Sequence, residues 1–392
     1  MLIETYHDLV AWCRDASSAP ELFIDTEFIG EGRYYPMVGA IQVATRSEAV
    51  LVDPVCITNL DPLLELLARP DSVKVFHAAS QDLGILYRMM DVPLAPVFDT
   101  QIAAALISSE EQIAFVNLVE RITGQRLSKG HSFTNWLQRP LNEGQIQYAL
   151  DDVRYLVPVY DEQKAKLEEL DRAGWMREEM AAWERAETFE PTDPNEVYLR
   201  LRGVERLSGR VLAILQELAA WREETARNEN IPLGRIARDE ALIEMARRAP
   251  LEVKQLRDIR GLTGQQADRY GRDFIYAIAE GSRKPPVKPP PRLSFPFSLE
   301  PTVDFLVVCL RALCVEKSVA SGMVATRSDL CRIAQKGLDA DVSLTRGWRR
   351  EAFGEPIMAV LDGCVTARVV PGKREVRLEW NGERTEVSPC DG

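Results

Sequence analysis

Short apolar runs and helical periodicity divide the first half of the chain between them. Leu22-Phe23-Ile24 has the pattern of a buried strand. Ile41-Gln42-Val43-Ala44 and Ala49-Val50-Leu51-Val52 read as a hairpin turned at Arg46-Ser47, and Val73-Lys74-Val75-Phe76 as a further strand. That strand runs into a helix from about Ser80, a residue type suited to a helix N-cap. Helical spacing then dominates from about Thr100 to Arg185. The expectation is an α/β layered domain, a mixed sheet flanked by helices, over residues 1–187.

Two stretches break the pattern. Residues 188–195 carry Pro191 and Pro194 and read as a linker. Residues 283–297 carry Pro285, Pro286, Pro289, Pro290, Pro291 and Pro296, which cannot continue a helix or an interior strand and form a semi-rigid spacer. Between them, over 196–284, Leu212, Leu215, Leu218 and Ala219 make one apolar stripe and Ala241, Leu242, Met245 and Ala246 another, predicting an all-helical domain. A smaller C-terminal domain, 298–392, is expected to hold a helix near 303–316, another opening at Arg327-Ser328-Asp329-Leu330, and two strands, 364–370 and 374–380, turned at Pro371-Gly372. It could be a distant copy of the helical domain before it.

Composition narrows the class. The 392 residues suffice for two or three domains, and 46% apolar with 28% charged is ordinary for a soluble globular protein. No apolar run reaches membrane-spanning length, so no membrane partner is expected. The start, Met1-Leu2-Ile3-Glu4-Thr5-Tyr6-His7, lacks the basic and apolar parts of a signal peptide. Seven cysteines without a C-x-x-C pair predict reduced thiols in a cytoplasm, and three histidines away from any cysteine pair argue against zinc. The net charge of −12 superficially disfavours nucleic acid, but it is unevenly distributed. Residues 1–199 hold about 16 basic against about 33 acidic side chains, and residues 200–285 hold about 17 against about 13. An acidic part can hold metal while a basic part holds a phosphate backbone, although about +4 on one domain is also ordinary surface charge.

Three segments carry the candidate chemistry. In Phe23-Ile24-Asp25-Thr26-Glu27-Phe28, Asp25 and Glu27 are two apart and share one face of a strand. Thr26 faces the layer behind. Two carboxylates on one face are costly unless a cation neutralises them. In His77-Ala78-Ala79-Ser80-Gln81-Asp82-Leu83, Asp82 falls on the first turn of a helix after a strand, where the helix dipole favours it. His77 could hydrogen-bond a phosphate or ribose, or be a satisfied buried histidine. In Tyr148-Ala149-Leu150-Asp151-Asp152, Tyr148 and Asp152 stand at i and i+4 on a helix that follows Pro140-Leu141-Asn142. That spacing favours Asp152 over Asp151. A phenol is a poor general base at its usual pKa, but it can orient a water that a metal acidifies. Asp25, Glu27, Asp82 and Asp152 are the right type to hold two divalent cations, Mg²⁺ or Mn²⁺, and hydrolyse a phosphodiester. Phe28 could stack on a terminal base or only pack the core.

These segments resemble the three exonuclease motifs of the DEDD superfamily in its tyrosine-bearing branch. Phe98-Asp99-Thr100-Gln101-Ile102-Ala103-Ala104, Leu127-Ser128-Lys129-Gly130 and Trp136-Leu137-Gln138-Arg139-Pro140-Leu141 are similar to the ribonuclease D family. Arg206-Leu207-Ser208, Leu218-Ala219-Ala220-Trp221-Arg222 and Arg238-Asp239-Glu240-Ala241-Leu242 resemble the helicase-and-RNase-D C-terminal (HRDC) module. Arg346-Gly347-Trp348-Arg349-Arg350 is similar to the C-terminal part of some members. The resemblance implies an RNase-H-like exonuclease fold followed by an HRDC domain. It further implies 3′→5′ hydrolysis of RNA, typically at precursor tRNA ends, releasing 5′-mononucleotides. Asp25, Glu27, Asp82 and Asp152 would ligate metal and Tyr148 would position the water; apart from the resemblance, a monomer is expected. Asn135 departs from the aspartate common there, outside the metal set. The rival readings are a DNA 3′→5′ exonuclease and a non-catalytic RNA-binding scaffold. A joined helicase is excluded, because no G-x-x-x-x-G-K-[ST] loop occurs.

Overall fold

The sheet is built in the first hundred residues, and helices then cover it. The computed structural model describes residues 1–127, 130, 134–291, 295–373 and 375–381; Ser128 and Lys129, quoted above, and Cys390, one of the seven cysteines, lie outside them. The order is β1 (Leu2–Ile3), α1 (Tyr6–Asp15), β2 (Glu21–Ile29), β3 (Met37–Ala44), β4 (Ala49–Val52), α2 (Asp61–Leu67), β5 (Val73–Phe76), α3 (Ser80–Met90) and β6 (Val97–Asp99). Helices α4 (Thr100–Ile107), α5 (Phe115–Thr123), α6 (Glu143–Arg154), α7 (Leu156–Glu169) and α8 (Ala173–Trp183) follow.

The strands form a mixed sheet in the order β1-β4-β3-β2-β5-β6. Strand β2 runs parallel to β5, β5 to β6 and β1 to β4, while β3 and β4 form the expected antiparallel hairpin, Ile41 opposite Val52 and Ala44 opposite Ala49. Leu22, Phe23 and Ile24 are fully buried in β2, as their unbroken apolar run requires. Each such side chain contributes about 2 kcal/mol by leaving water. Lys74 in β5 is also buried; its ammonium donates to the carbonyls of Arg69, Ser72 and Ala95, and burial lowers its pKa to about 8.

Ser80 does not cap α3. It is the first helical residue, and the capping position is Ala79, which has no side chain able to accept. Asp99, at the end of the neighbouring strand β6, supplies the acceptor instead. Its carboxylate accepts the Ala78 and Ala79 N–H groups at 3.0 and 2.8 Å and also caps α4 through Gln101 N–H at 2.8 Å. Ala78 is left-handed (φ 58°), a conformation an alanine holds only when its surroundings impose it.

The chain divides into two compact units. One comprises residues 1–27 and 38–189 with the described part of 295–392; the other comprises residues 28–37 with the described part of 190–294. The second unit is helical: α9 (Gly209–Glu229), α10 (Leu233–Ile236), α11 (Asp239–Arg248) and α12 (Gly264–Arg283). Both predicted stripes lie in its core. Residues 28–37 join it through Tyr34, whose hydroxyl donates to Glu223, itself paired with Arg227 at 3.0 Å. Tyr35 N–H donates to Asn230 Oδ1 at 2.7 Å. Helix α12 packs on α9 at Gly281, where an added Cβ would lie 2.5 Å from Ile214 Cα and 2.8 Å from the Ala213 carbonyl oxygen. Both are backbone atoms and cannot swing aside. Gly281→Ala is therefore expected to destabilise this unit by about 2–3 kcal/mol, read as a lowered urea midpoint of its unfolding transition.

The C-terminal segment holds α13 (Glu300–Lys317), α14 (Ser321–Val324), α15 (Arg327–Lys336), α16 (Gly347–Arg349), α17 (Glu355–Leu361) and an antiparallel pair, β7 (Val365–Val369) and β8 (Val376–Trp380). It packs into the same compact unit as the sheet. Trp348 stacks on Trp175 with ring centroids 4.4 Å apart, and Arg349 holds Glu179 by a fork of 2.6 and 2.8 Å. Arg172 donates to the carbonyls of Leu106 and Lys317, and Ala320 N–H to that of Ala105. The order of elements repeats that of the helical unit. In each, a long helix ends in a left-handed cap (Asn230, Ser318), a four-residue helix follows, and then a ten-residue one.

Candidate active site

Strand β2 delivers Asp25 and Glu27, α3 delivers Asp82, and α6 delivers Tyr148 and Asp152. Helix α6 starts where the sequence places it, because Asn142 and Gln145 form a reciprocal capping box. Asp25, Glu27 and Asp152 converge: one carboxylate oxygen from each lies within 4.8 Å of the others. Tyr148 stands one turn before Asp152 on α6, lines the same cavity, and its hydroxyl draws the Asp152 pKa down. Asp151 points elsewhere, to Gln147 Nε2 at 2.7 Å and Arg154 at 3.3 Å. Asp82 is buried beside this trio rather than within it, and accepts the hydroxyl of Thr26. Thr26, expected only to serve the layer behind, thus fixes the fourth carboxylate. A threonine between two acids on a strand was the available signal for it.

The electrostatics follow from crowding four acids in a sheltered place. Burial first, and then Asp82, Asp152 and Glu27, push the Asp25 carboxyl well above its usual range. Burial followed by Asp152 and Asp82 raises Glu27 to about 8. Asp152 rises to about 7 and Asp82 to about 6, mainly by burial, with hydrogen bonds from Tyr148 and Thr26 respectively pulling the other way. None of the four has an ion pair among the described residues. Clustered oxygen donors whose charge no side chain balances are what a hard divalent cation requires, so the residues fit such an ion.

A cavity of about 250 Å³ opens over the carboxylates, with Thr26, His77, Phe115 and Leu156 in its wall. Both ring nitrogens of His77 are engaged, Nδ1 with Thr100 Oγ1 at 2.9 Å and Nε2 with the Ile113 carbonyl at 3.1 Å. Burial lowers its pKa, and its ring leans on Phe115 with centroids 5.2 Å apart. It therefore offers the cavity a ring surface. Phe28, half-buried, follows Glu27 on β2 and is not in the cavity wall. Asn135 accepts Leu137 N–H on its side-chain oxygen at 3.1 Å, a role aspartate would fill as well. Phe115, Asp99 and Trp136 were assigned no role from the sequence. Asp99 braces the start of α3, and Trp136 packs 6.2 Å from the Tyr148 ring.

A mixed sheet presenting a D-x-E strand, a helix-borne aspartate and a helical Y-x-x-x-D is the arrangement of a 3′→5′ exonuclease, and the sequence profile described as 3′-5′ exonuclease matches residues 1–168. The HRDC domain profile matches residues 211–278. Over 383 residues the chain is 36% identical to ribonuclease D of Nitrobacter hamburgensis, spanning 96% of this chain and 99% of that one. It is 38% identical to ribonuclease D of Gluconacetobacter diazotrophicus over 93% of each. The crystal structure of Escherichia coli RNase D, described as an exoribonuclease involved in structured RNA processing, superposes with a TM-score of 0.83 at 26% identity, covering 93% of this chain and 98% of that one. The chain belongs to the ribonuclease D family of 3′→5′ exoribonucleases.

Proposed function

We propose that this exoribonuclease trims the 3′ ends of precursor tRNAs and other structured RNAs in the cytoplasm, releasing 5′-mononucleotides by two-metal hydrolysis. The observation that carries the reading is the convergence of Asp25, Glu27 and Asp152 beside the Tyr148 hydroxyl. Asp25, Glu27, Asp82 and Asp152 hold two divalent cations, Mg²⁺ or Mn²⁺. When bound, such ions stabilise charge on the phosphate and acidify a water. Tyr148 orients the attacking water from one helical turn above Asp152. His77 and Phe115 offer ring surface to the terminal nucleotide. All these groups come from one chain, so a monomer suffices.

Residues 1–187 form the exonuclease domain, residues 196–284 the HRDC domain, and residues 298–392 a divergent second HRDC-like module, on the strength of the repeated element order. The HRDC domain grips the RNA backbone. It carries a cleft of about 840 Å³ whose wall includes Arg235, Arg238 and Arg269. Arg269 is paired with Glu229, while Arg235 and Arg238 have no acidic partner among the described residues. Bacterial relatives named ribonuclease D and six free cysteines among the described residues support a cytoplasmic site of action.

The test is degradation of a 5′-labelled precursor tRNA carrying extra 3′ nucleotides, with Mg²⁺, Mn²⁺ or EDTA, alongside a DNA oligonucleotide and Asp25→Ala. A ladder shortening from the 3′ end, dependent on metal, faster on RNA and lost in the variant is expected. Tight RNA binding without shortening under any metal would replace this reading with that of a scaffold. The contribution of Arg235 and Arg238 should fade as salt rises from about 50 to about 200 mM, as backbone contacts do.

A further inference from the structure

The segment Trp136–Leu141 takes no part in the chemistry above, yet it is tied down on two sides. Arg139 uses all five of its N–H groups there. Its fork holds the carboxylate of Asp53, a fully buried residue just after β4, with Nη2 at 2.7 Å from Oδ1 and Nε on Oδ2. Nη2 also reaches the Gly39 carbonyl at 2.7 Å, and Nη1 reaches those of Trp136 and Gln138 at 2.8 and 2.9 Å. Strand β3 meets Trp136 so closely that a Cβ on Gly39 would fall 2.6 Å from both the Trp136 Cβ and its carbonyl oxygen. Trp136 is itself buried, and its indole N–H has no hydrogen-bond partner among the described residues. Leaving a buried donor unmade costs about 1–3 kcal/mol, which a phenylalanine or leucine there would avoid. The ring must therefore serve something else. It lies 6.2 Å from the Tyr148 ring, tilted 35° to it.

We infer that Trp136 is a positioning residue for Tyr148, a wall that confines the phenol to the rotamer holding its hydroxyl at Asp152, and that Arg139 anchors this wall to the sheet through Asp53 and Gly39. A tyrosine on a half-exposed helical face can otherwise occupy more than one χ1 well. The inference rests on Tyr148 orienting the attacking water.

The test is a double-mutant cycle on a single-stranded oligoribonucleotide. Trp136→Leu, Trp136→Phe and Arg139→Lys are each made in the native chain and in Tyr148→Phe. Single changes should lower kcat with KM within about twofold. The loss is about 10–100-fold for Trp136→Leu, on the scale of a 1 Å misplacement, and smaller for Arg139→Lys and Trp136→Phe. In the Tyr148→Phe background the same changes should lower kcat less than about twofold further, because the group they position is gone. Mn²⁺ affinity by calorimetry should stay that of the native chain. Equal losses in both backgrounds would overturn the inference and make the segment structural. A harmless Trp136→Leu would overturn it as well. If Tyr148→Phe alone left kcat unchanged, both the inference and the role of Tyr148 would fall, a result separable from the first two. Should Trp136→Leu not fold, Arg139→Lys decides by the same criterion.

Discussion

Asp25→Asn is expected to abolish hydrolysis and, at the same time, raise the melting temperature of the metal-free protein at pH 8. The first effect follows from removing a charged oxygen donor from the carboxylate trio, which should forfeit several kcal/mol of stabilisation of phosphate charge, at least about 10³-fold in kcat. The second follows from the position of Asp25. Its carboxyl is pushed well above the usual range by burial and by Asp82, Asp152 and Glu27, so at pH 8 the native metal-free state must either take up a proton or hold a charge among like charges. Asparagine keeps the shape and removes the conflict. The measurement is paired: kcat on a labelled oligoribonucleotide with Mg²⁺, and calorimetric melting in EDTA. A variant that melts below the native chain in EDTA would show that carboxylate crowding does not burden the native state.

Metal-free protein should lose stability steadily as pH rises from about 5 to about 8, the reverse of ordinary acid denaturation. The sign follows from linkage. Asp82 at about 6, Asp152 at about 7 and Glu27 at about 8 all lie above the usual 3.8–4.5 of these side chains in the unfolded chain. Between those limits the native state binds more protons than the unfolded state, so the free energy of unfolding falls with rising pH until the last group has ionised. A divalent cation needs the same groups ionised. Its stabilisation should therefore be small at pH 5, grow through pH 6–8, and be accompanied by proton release. Melting curves at pH 5, 6.5 and 8, with EDTA and with Mn²⁺, should diverge as pH rises. A constant gap between the curves would mean that these carboxylates ionise normally, and coincident curves that the site holds no cation. Activity should fall below about pH 7 for the same reason, as protons displace metal from Glu27 and Asp152.

Much of the site is legible in the sequence because its local geometry is periodic. Asp25 and Glu27 share a face because strand side chains repeat every two residues, and Tyr148 and Asp152 share one because helical side chains repeat about every 3.6. The same periodicities mark the hairpin at Arg46-Ser47, the stripes of α9 and α11 and the opening of α15. Each depends only on residues close in sequence. Ser80, by contrast, has the chemistry of a cap, yet Asp99 on another strand supplies the acceptor. Lys74 looks like a polar break in a strand, but three carbonyls of the surrounding loops allow it to be buried. Thr26 finds Asp82 across 56 positions, Tyr34 finds Glu223 across 189, and Arg139 reaches back to Asp53 across 86. The C-terminal segment, whose placement no local pattern indicates, is drawn into the sheet's unit by Trp348 on Trp175 and Arg349 on Glu179. The sequence by itself therefore determined which residues could act together on one strand or one helix. Only the tertiary structure decided that the three segments meet, which groups brace them and how far burial lifts their carboxyl pKa values, because those depend on distances across the fold that no local periodicity encodes.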